Sequence, residues 1–261
     1  MEEIPMASSK TYVARRDPVL RYTFAGFLAV AIAAIGWVMI TVGSSPSVKG
    51  ASFIWLPAAL QLVAGIWLGP WLGAVAGGLG AYTAGIFAYG GWGITDIIQN
   101  PIAGGFANAM LPALLFRMLR LDPTFGCKDP YDVLNGAVRV VVLALAVMAA
   151  GLVNIVLALP SPWGLALPLI VLVVGVPVIL GNVGRNLNMD HFVLAVDIAV
   201  VACGVSALIG AFAAYVGGKP IEAALIDPGV GWFVGDTVSA VLGLFLLPLY
   251  TLRLRQAGIA E

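Results

Sequence analysis

The sequence predicts an all-helical protein that crosses a lipid bilayer several times. Of its 261 residues, 61% are hydrophobic and only 10% are charged, whereas a soluble domain carries about 25% charged residues. The mean hydropathy is +1.02. The run from 53 to 120 holds a single acidic residue and is crowded with glycine and alanine, the small residues through which helices in lipid approach each other closely. These observations indicate a polytopic helical bundle.

The chain contains about eight runs that are long enough to span a bilayer, since a transmembrane helix needs about 20 apolar residues. We place them at 20–43, 52–69, 71–90, 95–119, 133–159, 163–184, 191–216 and 231–252. The second and third runs meet at Gly69-Pro70, and a proline can both stop one helix and start the next. A kink inside one long helix is the alternative at that point.

The basic residues indicate the orientation of the spans, because cytoplasmic loops carry an excess of lysine and arginine. With eight spans and the N-terminus inside, the outer loops keep only Lys49 and Lys219 of the 13 basic residues. We therefore expect a multi-pass protein of the cell (plasma) membrane with both termini in the cytoplasm. The predicted parts are an N-terminal tail at 1–19, a transmembrane bundle at 20–252 and a C-terminal tail at 253–261.

The two halves of the predicted bundle, 20–120 and 133–252, resemble each other weakly. At an offset of 136 positions a Leu-Pro pair recurs, and Asn100 falls on Asp236. A parallel duplication of four-helix halves would explain these matches. Chance similarity between apolar helices explains them equally well, and both explanations stay open.

Composition and motifs exclude several classes of function. The net charge is zero, which argues against nucleic acid as a partner because neutralising phosphates requires a clustered basic surface. The connections between spans are too short to build an extramembrane domain. The sequence contains no H-E-x-x-H, paired-cysteine or phosphate-loop motif, so we expect no enzymatic activity, no metal and no cofactor.

Polar and aromatic residues gather near the predicted outer level of the membrane. Asp236 lies roughly 8 Å below the outer end of its span at 1.5 Å per residue, and Asn100 lies one turn deeper than Asp96. Aromatic walls with a few polar groups are typical of organic-ligand pockets. A carboxylate among them favours a cationic or hydrogen-bond-donating ligand. The predicted ligand-binding residues are Trp55, Gln61, Trp92, Asp96, Asn100, Asn154, Trp232 and Asp236.

Structural explanations for the same residues also stay open. Interfacial aromatic belts account for tryptophans at span ends. Asp96 is suited to cap the N-terminus of its helix, and Asp236 to make a hydrogen bond between two helices.

The first span carries a ridge of small residues, Ala25, Ala29 and Ala33, repeated every four positions. Ridges of this kind allow backbones to approach closely. The ridge either packs within its own bundle or docks another membrane protein.

Two families show a resemblance. The Trp-Leu-Pro-Ala run at 55–58 resembles the second span of the MASE-type membrane-associated sensor domains. Their last span carries a tryptophan, a Gly-Asp pair and a proline, to which Trp232, Gly235-Asp236 and Pro248 are similar. This resemblance implies a ligand-sensing membrane domain with cytoplasmic termini that signals to an output module.

The first half also resembles the S components of energy-coupling-factor transporters. The Gly-Pro-Trp-Leu-Gly-Ala run at 69–74 is similar to their glycine-spaced helix, and the stretch from Pro101 to Arg117 looks like their following span. The alanine ridge resembles the first-span surface that meets the transporter. This resemblance implies capture of a small molecule and docking on an ATP-driven module.

We therefore expect a membrane subunit that binds a small molecule for uptake and works with a separate energising partner. Its expected partners are the lipid bilayer, a small-molecule ligand and a second membrane protein. A sensor domain that signals through a separate output protein is the alternative. A structural accessory subunit of a larger membrane complex, without any ligand, is a third.

Overall fold

A computed structural model describes residues 16–43, 55–90, 98–127, 129–157 and 186–261, with a few helical positions between 170 and 181. Within these ranges every regular element is helical, which confirms the predicted all-helical class. Four of the described helices are long and apolar enough to cross a membrane, namely Pro18–Thr41, Pro70–Ala88, Met189–Val216 and Gly231–Gln256. These helices indicate a membrane protein.

The elements follow one another with short connections. They are α1 (Pro18–Gly43), α2 (Pro57–Leu68), α3 (Pro70–Tyr89), α4 (Ile98–Met110), α5 (Leu111–Met118), α6 (Pro130–Leu157), α7 (Met189–Val216), α8 (Ile221–Ala224), α9 (Leu225–Val230) and α10 (Gly231–Gln256). The α4 and α9 segments have π-helical hydrogen bonding. Each runs directly into the next helix, so α4–α5 and α8–α10 form two continuous helical stretches.

The turn at Gly69-Pro70 is confirmed as a break between two helices. Gly69 has a φ of 89°, a left-handed conformation that glycine adopts without the steric penalty of a side chain. Pro70 is the first residue of α3, where its missing N–H costs no helical hydrogen bond. Gly65 and Gly73 then meet backbone to backbone across the turn, so α2 and α3 form a tight helical hairpin.

The helix in the second predicted span is shorter than expected. We predicted 52–69, but α2 has 12 residues and begins at Pro57. Trp55 and Leu56 precede it outside the helix, although Leu56 already has helical backbone angles, with φ −49° and ψ −31°. At 1.5 Å per residue, α2 is about 18 Å long, which is shorter than the roughly 30 Å core of a bilayer.

The short helix α2 lies at the centre of the bundle. All of its residues except Leu60 are buried, against α1, α3, α4 and α10. Glycines make this packing possible. A methyl group on Gly243 of α10 would lie 2.7 Å from the carbonyl oxygen of Ala59, so only a residue without a side chain allows α10 to lie this close to α2.

One end of the bundle is held together by both ends of the described chain. The Asp17 N–H donates to the carbonyl of Gly258 at 3.2 Å, and the Glu261 N–H donates to the carbonyl of Trp67 at 3.0 Å. The Glu261 carboxylate pairs with Arg16 at 3.2 Å, with Arg21 at 3.3 Å and with Arg117. The start of α1, the α2–α3 turn and the ends of α5 and α10 therefore lie at the same end, as alternating spans require.

The predicted C-terminal tail is also part of this end of the bundle. The helix α10 continues to Gln256, beyond the span that we placed at 231–252. The following residues turn back onto the bundle, where Ala260 is buried in the main hydrophobic cluster. The predicted span at 163–184 lies mostly outside the described residues, so the eight-span count and the duplication of halves stay predictions.

Candidate ligand-binding site

A small cavity lies between α1, α2, α3, α4, α7 and α10. It has a volume of about 50 Å³, a few times the smallest volume that holds one water molecule, about 10–15 Å³. It lies toward the end where α1 finishes and α10 begins, opposite the Glu261 cluster. Its lining residues are Met39, Ile40, Trp55, Gln61, Ala81, Gln99, Asn100, Ala103, Gly104, Asn108, Ser206, Trp232 and Asp236.

The structure brings five of the eight predicted ligand-binding residues to this one cavity. They are Trp55, Gln61, Asn100, Trp232 and Asp236. Trp92 and Asp96 lie outside the described residues, and so does the side chain of Asn154. The five residues come from distant parts of the chain, so their convergence is a property of the fold, while their binding of a ligand stays a prediction.

A buried hydrogen-bond network is built around Asp236, which is only 2% exposed. Its Oδ2 accepts hydrogen bonds from Asn108 Nδ2 at 3.0 Å and from Ser206 Oγ at 2.9 Å. The same Asn108 Nδ2 donates to Gln61 Oε1 at 3.1 Å. Because an ionised carboxylate only accepts, Asn108 must turn its amino group toward Asp236. Asp236 thus joins α10 to α4 and α7, which is the interhelical hydrogen bonding left open by the sequence.

Two polar atoms of this network have no hydrogen-bond partner among the residues that the structure describes. They are Gln61 Nε2, a donor, and Asn108 Oδ1, an acceptor. The two residues are 0% and 4% exposed, so bulk water does not satisfy these atoms. A buried group left unpaired costs about 1–3 kcal/mol. Proteins pair nearly all such groups, so a donor and an acceptor left unpaired beside one cavity require an explanation.

Glycines position the Gln61 amide and the two indole rings. A methyl group on Gly104 would lie 2.8 Å from Gln61 Nε2, and one on Gly36 would lie 3.2 Å from the Trp55 ring. Trp232 packs in the same way against Gly210, at 2.6 Å. The small residues of α1, α4 and α7 therefore make room for the larger side chains that surround the cavity.

Asp236 is the only ionisable residue among the described residues that line the cavity. Its hydrogen-bond donors, Asn108 and Ser206, are neutral. Buried charges are normally paired with an opposite charge or a metal. The lining thus has an acidic group and two tryptophans, and no lysine, arginine or histidine from the described part of the chain.

Sequence reasoning missed Asn108 and Ser206. Asn108 was detectable as an amide within an apolar span, where a polar group is expensive unless it has a partner, whereas a single serine can bond within its own helix. Asn108 also lies eight positions after Asn100, with Gly104 between them, and all three residues line the cavity. The predicted site was placed among residues near the outer level of the membrane, and Asn108 lies deeper than that level on α4.

The alanine ridge of α1 packs inside the chain. Ala25 is 6% exposed and belongs to a buried cluster with Ala76 of α3. A methyl group on Gly80 of α3 would lie 2.7 Å from the carbonyl oxygen of Ala29, and Ala33 is half-buried. This placement favours packing within one bundle, the first of our two explanations. Docking of a partner through the ridge stays a prediction.

The four apolar helices and the polar cavity define a helical membrane protein with a candidate binding site inside its bundle. Comparison of the chain with protein-family models, with curated proteins and with solved structures found no match. The resemblances to sensor domains and to S components therefore rest on the residues quoted for them.

Proposed function

We propose that this protein is an integral membrane subunit that binds a small molecule and captures it for uptake with a separate energising partner. The observation that carries this proposal is the pair of unpaired atoms, Gln61 Nε2 and Asn108 Oδ1, at the cavity beside Asp236. A purely structural network gains by pairing all of its members. Polar groups that are left unpaired beside a cavity are suited to pair with a ligand.

The proposal includes eight spans in the plasma membrane with both termini in the cytoplasm. The distribution of basic residues supports this orientation, since only Lys49 and Lys219 fall in outer loops. The cluster of Arg16, Arg21 and Arg117 around Glu261 then lies at the cytoplasmic end. The cavity lies toward the outer end, where an uptake protein meets its substrate.

The energising partner must reach a surface of this protein from within the membrane or the cytoplasm. The S-component resemblance places that surface on the first span, at Ala25, Ala29 and Ala33. Ala25→Leu separates packing from docking, because Ala25 is buried in the same cluster as Ala76 of α3 and a leucine there would overfill it. Loss of folding in the isolated variant supports packing, whereas a folded variant that has lost its partner supports docking.

A specific contact favours the sensor domain as the second candidate. The Trp55 N–H donates to the carbonyl of Gly235 at 3.4 Å, so the two stretches that resemble sensor-domain motifs meet beside the cavity. A sensor would use the same pocket and pass the signal to a separate output protein. The identity of the partner therefore decides between the two candidates.

Gentle purification of the tagged chain from its native host tests the proposal. Mass spectrometry of the preparation identifies both the copurifying proteins and the released small molecules. Uptake predicts an ATP-hydrolysing partner and a metabolite that Asp236→Asn and Trp232→Ala lose and Gly26→Ala retains. A kinase or cyclase partner favours sensing. A large membrane complex without any small molecule would overturn the proposal in favour of an accessory role.

A further inference from the structure

We propose that the ligand of this cavity is a small organic cation of the ammonium class, with the Asp236 carboxylate as its counter-ion. The inference rests on the proposed function, because it assumes that the cavity binds a small molecule. It goes further by assigning the charge, the polarity pattern and the size of that molecule.

The charge follows from the residues around the cavity. Asp236 is buried, and its hydrogen bonds come from the neutral groups of Asn108 and Ser206. No described lining residue carries a positive charge. Because a carboxylate in a low-dielectric site is stabilised by an opposite charge nearby, the missing cation is best supplied by the ligand.

The remaining lining groups favour an ammonium over an alkali-metal ion. Trp55 and Trp232 both line the cavity, and an ammonium group is attracted to the face of an indole ring within about 6 Å. The unpaired Asn108 Oδ1 adds a second acceptor for the N–H donors of an ammonium. Gln61 Nε2 is a donor, so the ligand should also carry an acceptor such as a hydroxyl or carbonyl oxygen.

The size of the cavity limits the ligand. A volume of about 50 Å³ is a few times the smallest volume that holds one water molecule, about 10–15 Å³. A molecule of about four non-hydrogen atoms therefore fits without any change of the surrounding helices. Ethanolamine has this size, one ammonium group and one hydroxyl group, which makes it a suitable probe.

The test measures the unfolding midpoint of the purified full chain in detergent with a series of matched probes. Ethanolamine is positively charged, ethylene glycol is its neutral analogue and glycolate is its anionic analogue. Methylammonium and sodium, as chlorides, test a smaller ammonium and a metal ion. All samples have equal ionic strength, because salt alone changes electrostatic interactions.

We expect ethanolamine to raise the midpoint in a saturable manner, since a ligand that binds only the folded state stabilises it. Methylammonium should act at higher concentration, and ethylene glycol, glycolate and sodium should have no saturable effect. Asp236→Asn should weaken the effect of ethanolamine at least tenfold. The comparison among probes needs only the wild-type chain, so it holds even if the variant does not fold.

Three results would overturn the inference. They are equal stabilisation by ethylene glycol, equal stabilisation by sodium, and no saturable effect of either ammonium probe. A neutral or anionic metabolite released from the natively purified protein would also overturn it, while leaving the proposed function intact. Absence of any bound small molecule would instead remove the proposed function itself.

Discussion

Replacing Gln61 with methionine should leave the folded protein as stable as before or more stable, although Gln61 is completely buried. Methionine has a similar length and flexibility and fills the same space without polar atoms. The change removes Gln61 Nε2, which has no hydrogen-bond partner in the described part of the chain. It also removes the acceptor of the 3.1 Å hydrogen bond from Asn108.

The magnitude follows from these two effects. Removing an unpaired buried donor relieves a cost of about 1–3 kcal/mol, and losing one neutral hydrogen bond costs about 0.5–1.5 kcal/mol. Asn108 keeps its hydrogen bond to Asp236 in the variant. The free energy of unfolding should therefore change by between about −0.5 and +2.5 kcal/mol, that is, from nearly unchanged to clearly more stable.

Ser206→Ala is the matched control. Its hydroxyl donates to Asp236 at 2.9 Å, and a hydrogen bond to a charged group contributes about 1.5–3 kcal/mol. This variant should be destabilised by that amount. The two variants should therefore shift stability in different directions, although each removes one buried polar side chain from the same network.

The assay is reversible unfolding in mixed detergent micelles without added ligand, followed by binding measurements with the copurified metabolite. Gln61→Met should bind that metabolite several-fold more weakly, because it lacks the donor. Destabilisation of Gln61→Met by more than about 2 kcal/mol would show that Nε2 has a partner. That result would refute the argument that the unpaired Gln61 Nε2 is available to bind a ligand.

Three further predictions concern packing, the ion-pair cluster and the topology. Gly65→Ala should lower the free energy of unfolding by about 1–3 kcal/mol or more, because the added methyl group overlaps the α4 backbone. Its control is Gly26→Ala, whose methyl group meets nothing within 4 Å and which should be neutral or up to about 1 kcal/mol stabilising. Equal unfolding midpoints for the two variants would contradict this packing. Glu261→Gln leaves three guanidinium groups without their shared carboxylate. It should lower the free energy of unfolding by roughly 1–2 kcal/mol, and by less at high salt. An unchanged denaturation curve at low salt would contradict a stabilising role of this cluster. Burial raises the pKa of the Cys127 thiol, so a membrane-impermeant maleimide should label it faster as pH rises. Labelling should occur only from the cytoplasmic side, and the buried Cys203 should stay unlabelled. Labelling of Cys127 in intact cells from outside would refute the orientation.

The sequence predicted those features that depend on the contrast between polar and apolar residues in lipid. The all-helical class followed from composition, and the α2–α3 turn followed from Gly69-Pro70. The meeting of Gln61, Asn100 and Asp236 at one cavity followed a similar principle, because polar groups within apolar spans are expensive and tend to face the interior. Each of these features can be recognised from the residue types in the sequence, without knowing how the helices pack.

Other features depend on tertiary packing and could not be deduced from local patterns. The alanine ridge of α1 had two open explanations, and only the position of Gly80 on α3 shows which surface Ala29 meets. The π-helical bonding of α4 and the return of Glu261 to the arginines have no periodic signal. Ser206 was missed because a single serine in an apolar helix commonly needs no partner outside its own helix.

Native mass spectrometry of the intact protein, released gently from detergent, tests the central claim most directly. If the cavity binds a small molecule, the wild-type chain and Gly26→Ala should carry an adduct of defined small mass that mild activation removes. Asp236→Asn and Trp232→Ala, which alter the cavity lining, should show the bare chain. An adduct that persists unchanged in both cavity variants, or its absence from the wild-type protein, would contradict the account.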